Sequence, residues 1–95
     1  MVRWKEYRMG YIIKYSNDAL KDIKKLEACG LDIKTKDLLA IMKNNPYQNP
    51  PPYEKLRGNL KEKLSRRINI QHRIVYQVLE KRKIIKIYRM WTHYQ

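Results

Sequence analysis

Cysteine is almost missing from this chain: Cys29 is the single thiol in 95 residues. One thiol cannot close an internal disulfide framework or supply a cysteine-rich zinc site. Acidic residues are scarce, nine Asp/Glu against 22 Lys/Arg. No apolar run reaches the ~18 residues that suggest a transmembrane helix. The opening residues, Met1-Val2-Arg3-Trp4-Lys5-Glu6-Tyr7-Arg8, are charged and lack the apolar stretch of a secretory signal. Neither GxGxxG nor GxxxxGK[ST] occurs, so nucleotide-binding glycine loops are not expected. His72 and His93 are far apart, with no H-x-x-H and no Cys/His set, so no metal or other cofactor is implied. Heptads, zinc-finger spacings and internal repeats are missing too. These absences leave a soluble cytoplasmic protein with no membrane partner as the expectation.

What is present is positive charge on a foldable background. Hydrophobic residues make up 43% and charged residues 33%. The two are interleaved rather than segregated, which argues for one folded domain over residues 1–95. Residues 1–10 show no period and read as an N-terminal extension. The formal net charge is +13. Most of it lies in residues 46–95, with twelve Lys/Arg against three Asp/Glu. Such a field attracts nucleic acid, an acidic protein or an anionic membrane surface; charge of this kind also serves solubility alone.

The hydrophobic pattern changes period along the chain. Residues 11–15, Tyr-Ile-Ile-Lys-Tyr, are β-branched and aromatic and predict a strand. Ser16, Asn17 and Asp18 offer helix caps. Ala19, Leu20, Ile23 and Leu26 follow at helical spacing, and Gly30 suits the helix end. A second helix, capped by Asp32 or Thr35, carries Leu38, Leu39, Ile41 and Met42 on its apolar face. It stops before Pro46, which cannot continue the ladder. The run Asn49-Pro50-Pro51-Pro52 is a stiff connector. Strand-like alternation follows: a short strand in 53–60 broken at Gly58-Asn59, then 64–70, 73–79 and 84–91. In 64–70, Leu64, Ile68 and Ile70 share one face and Ser65, Arg67 and Asn69 the other. Arg66 interrupts the apolar face, which suggests an edge. Residues 80–83 form a charged hairpin turn. The expected class is therefore α+β: an N-terminal strand and a two-helix hairpin packed on a twisted antiparallel sheet of about four strands, helices on one face. The other face would carry Arg67 and Arg73.

Those arginines present planar, permanently charged forks that fit phosphate oxygens, although a solvated sheet face carries arginines as readily. His93 titrates nearest neutrality of all side-chain types and can donate or accept a proton. Tyr94 beside it can stack on an unpaired base. Terminal residues can equally fray, but the strand at 84–91 anchors these. Glu54 is the sole acid between Asp37 and Glu62, with Lys55 and Arg57 close in sequence. A carboxylate there could draw the proton from a ribose 2′-hydroxyl, or could simply soften local repulsion.

Three strings together are more specific than any one residue. Tyr53-Glu54-Lys55-Leu56-Arg57-Gly58-Asn59-Leu60, then Ser65-Arg66-Arg67-Ile68, then His72-Arg73-Ile74-Val75-Tyr76 with His93-Tyr94 near the end resemble the YoeB/Txe toxins. These belong to the RelE superfamily of bacterial toxin–antitoxin systems. The resemblance runs from Tyr53 to the C-terminus. It implies a microbial-ribonuclease-like fold and an endoribonuclease that cuts mRNA in the ribosomal A site. By match of position, Glu54 resembles the general base, His93 the general acid, Arg73 the stabiliser of the phosphorane-like transition state and Arg67 a second phosphate-binding arginine. Tyr94 resembles the residue that orients the substrate. Arg57 stands where relatives carry a lysine near the scissile phosphate, with Lys55 and Arg66 as further substrate-binding cations. Relatives often flank the glutamate with proline; here Tyr53 and Lys55 do so and the prolines lie upstream.

The resemblance also implies partners: the ribosome with its mRNA, a cognate acidic antitoxin of the YefM/Axe, Phd type, operator DNA only through that antitoxin, and a homodimer as in close relatives. The alternative reading is a non-catalytic RelE/ParE-fold protein that binds the ribosome, RNA or another target through basic surface. Such a protein needs neither Glu54 nor His93.

Overall fold

The computed structural model describes residues 10–58 and 62–91. Strand β1 (Ile12–Tyr15) leads into helix α1 (Asn17–Ala28), helix α2 (Asp32–Asn44) and strands β2 (Tyr53–Lys55), β3 (Leu64–Arg67), β4 (Arg73–Leu79) and β5 (Ile84–Arg89). The strands form one five-stranded sheet in the order β1-β5-β4-β3-β2. Strands β2 to β5 pair antiparallel as expected. The N-terminal strand then joins parallel to β5, with Ile13 opposite Ile85. The sheet is thus mixed, with one strand more than the antiparallel set. A parallel neighbour needs a crossover, and the α1–α2 hairpin with the β2–β4 meander supplies it.

Local chemistry accounts for the helix ends. Ser16 caps α1, its Oγ accepting from the Ala19 N–H at 3.0 Å and donating to the Tyr88 carbonyl at 2.7 Å. At the far end the Gly30 N–H reaches the Glu27 carbonyl and the Leu31 N–H the Leu26 carbonyl, the paired bonds of a Schellman turn. Gly30 supplies the positive φ of 76° that this turn requires. Neither Asp32 nor Thr35 caps α2: the N-cap is Leu31, without a side-chain bond. Thr35 is instead buried inside the helix and donates back to the Leu31 carbonyl at 2.8 Å. Gly10 already packs against the fold, since a Cβ there would sit 2.6 Å from the Lys43 carbonyl oxygen.

The core lies between the helices and one sheet face. Ile13, Leu26, Met42, Ile74, Tyr76 and Ile87 are each at most 2% exposed. Each such side chain contributes about 1.5–3 kcal/mol by leaving water. Leu20, expected on the apolar face of α1, is 49% exposed; it lies on the rim of the helix rather than in the stripe. Ile70 is 91% exposed, against the expectation that it continues the β3 core face. The strand ends at Arg67, because Asn69 Oδ1 accepts from the Gln71 and His72 N–H groups and closes a tight turn. Alternation stops there, and Ile70 sits at the tip. Among the described residues no helix is long and apolar enough to cross a membrane.

Arg66 is the main exception to apolar packing. It points into the helix-side interior and is 1% exposed, so it occupies no edge. Its guanidinium donates to the Tyr76 hydroxyl (3.1 Å) and to the carbonyls of Pro46 (2.9 Å), Gln48 (2.8 Å) and Pro51. Prolines have no N–H, so the 46–52 connector cannot pair its own carbonyls in a ladder, and buried carbonyls need donors. Arg66 supplies them and thereby fixes the connector that leads into β2.

Candidate active site

The sheet face away from the helices holds Glu54, the candidate base, with Arg67 and Arg73. Alternation along β3 sends Ser65 and Arg67 to that face while Leu64 and Arg66 go to the core. Register completes the arrangement: Glu54 lies opposite Ser65, and Arg67 opposite Arg73. Arg73 Nη1 stands 3.2 Å from Glu54 Oε1 and 3.1 Å from Ser65 Oγ. The Glu54 side chain is 64% exposed and that of Arg73 only 18%. An accessible carboxylate is thus joined to a largely sheltered guanidinium, and Ser65, fully buried, braces the guanidinium from below. Arg67 is exposed directly across from Arg73. Like charges opposite each other cost some sheet stability, and an arriving anion would offset that cost.

The other expected residues distribute differently. Arg57 is exposed just beyond the end of β2. Lys55 is exposed, but it pairs with Leu64, so alternation directs it to the side opposite Glu54. Arg66 cannot meet a substrate: it is buried, and the Pro46, Gln48, Pro51 and Tyr76 oxygens take up its donors. The expectation that it binds substrate is corrected on that ground. Alternation alone required it, since neighbours on a strand face opposite ways. His93 and Tyr94 lie outside the described residues.

Three further residues make contacts that the sequence reading did not foresee. Ser65 is one. His72 is another: it is 3% exposed and its ring stacks on Trp91, centroids 3.9 Å apart at 22°. The third is Asp22, 1% exposed on α1 and bonded to Arg89, Met90 and Trp91. The bond to Asp22 raises the pKa of the Arg89 guanidinium further above its ordinary value. A signal for Asp22 was available, because it falls between Ala19 and Leu26 on the apolar stripe of α1. Ser65 and His72 carry no comparable signal; only strand pairing reveals their partners.

Arranged this way, the face offers a carboxylate bonded to one arginine, with a second arginine opposite the first in register. Comparison with known proteins places the fold. A family model described as YoeB-like toxin of bacterial type II toxin-antitoxin system matches residues 15–94. A search of curated protein sequences gives no match. Among solved structures, the YoeB-YefM complex from Staphylococcus aureus superposes with a TM-score of 0.75 at 33% identity, covering 88% of this chain and 98% of that one. The YoeB dimer from the same organism gives 0.75 at 32% identity, covering 90% and 100%. A YoeB/ParE toxin from Agrobacterium tumefaciens gives 0.78 at 24% identity, covering 86% and 98%, a likeness of fold. With the family model spanning most of its length, this chain belongs to the YoeB-like toxins of bacterial type II toxin–antitoxin systems.

Proposed function

We propose that this toxin is a ribosome-dependent endoribonuclease that cleaves mRNA in the A site and so arrests translation. The observation that carries the reading is the bonded pair of Glu54 and Arg73 on an open, basic sheet face, with Arg67 opposite. Glu54 accepts the proton of a ribose 2′-hydroxyl. The 2′-oxygen then attacks the adjacent phosphorus, and charge builds on the non-bridging oxygens. Arg73 and Arg67 meet that charge with planar donors, stabilisation of the kind that preorganised dipoles and cations supply. As the phosphate enters, the Arg73 guanidinium turns donors toward it while Ser65 keeps its place. His93 donates a proton to the departing 5′-oxygen. The P–O5′ bond breaks, leaving a 2′,3′-cyclic phosphate and a 5′-hydroxyl. Each positioned acid or base contributes about 10²–10⁴-fold. Tyr94 orients the substrate base, and Arg57 lies near enough to β2 to meet a flanking phosphate.

The net charge of +13 holds the protein on ribosomal RNA by counterion release. It also suits an acidic antitoxin, and a complex with such a partner in the cytoplasm is the expected resting form. The relatives were solved as a YoeB-YefM complex and as a YoeB dimer, which supports proposing both assemblies here.

The deciding experiment is primer extension on a translated message with wild type, Glu54→Gln and His93→Ala. Cuts within A-site codons that disappear in both variants are expected. Arrest of translation without cuts, or cuts that persist in either variant, would replace the enzyme with a binding protein of the same fold.

A further inference from the structure

The buried carboxylate of Asp22 takes no part in the chemistry just described, yet its bonding is concentrated on one segment. Oδ2 accepts from Arg89 Nε at 3.0 Å, from the Met90 N–H at 2.9 Å and from the Trp91 N–H at 3.1 Å. Arg89 Nη2 lies 3.5 Å from Oδ1 and donates to the Trp91 carbonyl at 3.2 Å. Strand β5 ends at Arg89, so the next two N–H groups have passed beyond the ladder, and Asp22 receives them. A carboxylate that is 1% exposed is tolerated only with charge and hydrogen-bond partners in place. All of these come from three consecutive residues, so the segment has one favourable position relative to α1.

A second contact holds the same point from the other side. The Trp91 ring stacks on His72, the residue immediately before Arg73 at the start of β4. Trp91 is therefore fastened through its backbone to the helix layer and through its ring to the turn beside the phosphate-binding arginines. His93 lies two residues further along the chain, and two residues reach at most about 7 Å.

We propose that Asp22 is a positioning residue for RNA cleavage: through Arg89, Met90 and Trp91 it sets the point at which the chain leaves the sheet beside Arg73, and so sets where the proton donor His93 works. The inference rests on the reading of His93 as general acid. A proton donor displaced by about 1 Å costs on the order of 10²-fold in rate, so an anchor on a rigid helix has a direct effect on the chemical step.

Asp22→Asn keeps the shape but presents one oxygen and an NH₂ where four donors converge. Its cleavage of ribosome-bound mRNA at saturation is expected to fall roughly 10–100-fold, with ribosome affinity unchanged and cooperative melting retained. The informative readout is an mRNA with a 5′-bridging phosphorothiolate at the cut site. Its thiolate leaving group needs no proton, so the defects of both Asp22→Asn and His93→Ala should largely vanish on it. The double variant should be no slower than His93→Ala alone on ordinary mRNA. If Asp22→Asn does not fold, Arg89→Gln leaves the carboxylate bonded to two backbone N–H groups and should show the same leaving-group pattern. Equal slowing on both substrates, or wild-type rates in a folded variant, would overturn the positioning role while an inactive His93→Ala leaves the acid assignment standing. An active His93→Ala would overturn the acid assignment and this inference with it.

Discussion

Arg66 and Arg67 are adjacent in the chain and opposite in fate. The first is 1% exposed and bonded to the Tyr76 hydroxyl and three connector carbonyls; the second is exposed across from Arg73. One holds the connector that leads to Glu54, and the other lies on the open sheet face where we propose that an RNA phosphate binds.

Arg66→Met should therefore destabilise the fold, by about 2–5 kcal/mol, because the Gln48 and Pro51 carbonyls of the 46–52 connector lose the guanidinium that holds them, while Pro46 keeps the Tyr76 hydroxyl. Arg66→Lys should recover little, since one ammonium cannot reproduce a planar fork spread over four oxygens. Arg67→Gln, on the open face, should change stability by less than about 0.5 kcal/mol and weaken cleavage instead. Urea denaturation beside a cleavage assay separates the two. Equal destabilisation by Arg66→Met and Arg67→Gln would show that the two faces are wrongly assigned.

Glu54→Gln should leave melting nearly unchanged, because its ion pair with Arg73 is solvent-exposed on the carboxylate side and such pairs contribute about 0–1 kcal/mol. Cleavage should fall about 10²–10⁴-fold if Glu54 is the base. A variant that retains more than a tenth of wild-type cleavage would remove Glu54 from that role.

Ser65→Ala removes an oxygen to which Arg73 Nη1 donates at 3.1 Å. The cavity is a single hydroxyl, so the fold should persist. The maximal cleavage rate should drop about tenfold, the loss of roughly one charge-assisted hydrogen bond, with ribosome affinity unaffected. Unaltered single-turnover rates would mean that the guanidinium is oriented without Ser65.

Glu80 is predicted to shape stability at both ends of the pH scale. The Tyr11 hydroxyl, then Tyr47 and Lys83, donate to it and hold its carboxyl below the usual range. A depressed folded pKa means stability that is present above the unfolded carboxylate value, about 4.3, and lost as pH falls through the folded value. The same bond, followed by burial, raises the Tyr11 hydroxyl. That contribution is present below about pH 10 and lost as pH rises through the raised folded value. Thermal melts of wild type and Glu80→Gln across pH should differ less at both extremes than near neutrality. Parallel curves would deny the linkage.

Ribosome binding should weaken steeply with salt, because a surface of charge +13 binds largely through released counterions. Sedimentation with ribosomes at rising KCl gives the slope. A slope near zero would place apolar or shape contacts ahead of charge.

Much of the fold was legible because hydrophobic period and end signals are local. Ser16, Gly30 and Pro46 mark their helix ends by chemistry that needs no distant partner. Alternation in 73–79 announced the core face of β4. The same local reasoning lost Ile70, where a side-chain bond from Asn69 ended the strand early, and misplaced the cap of α2, where Thr35 preferred a carbonyl within the helix. It could not see that β1 would join β5 in parallel, because that pairing spans nearly the whole chain.

The sequence by itself determined the α+β class, the strong positive charge and the family, since composition, periodicity and short motifs are properties of neighbours along the chain. Only tertiary structure decided which arginine is buried, that Ser65 braces Arg73 against Glu54, and that Asp22 of the first helix holds the last strand's end. Those outcomes depend on strand register and on helix–sheet packing, which bring together residues 8 to 69 positions apart. Nothing in the local sequence specifies such distances; burial of the core does.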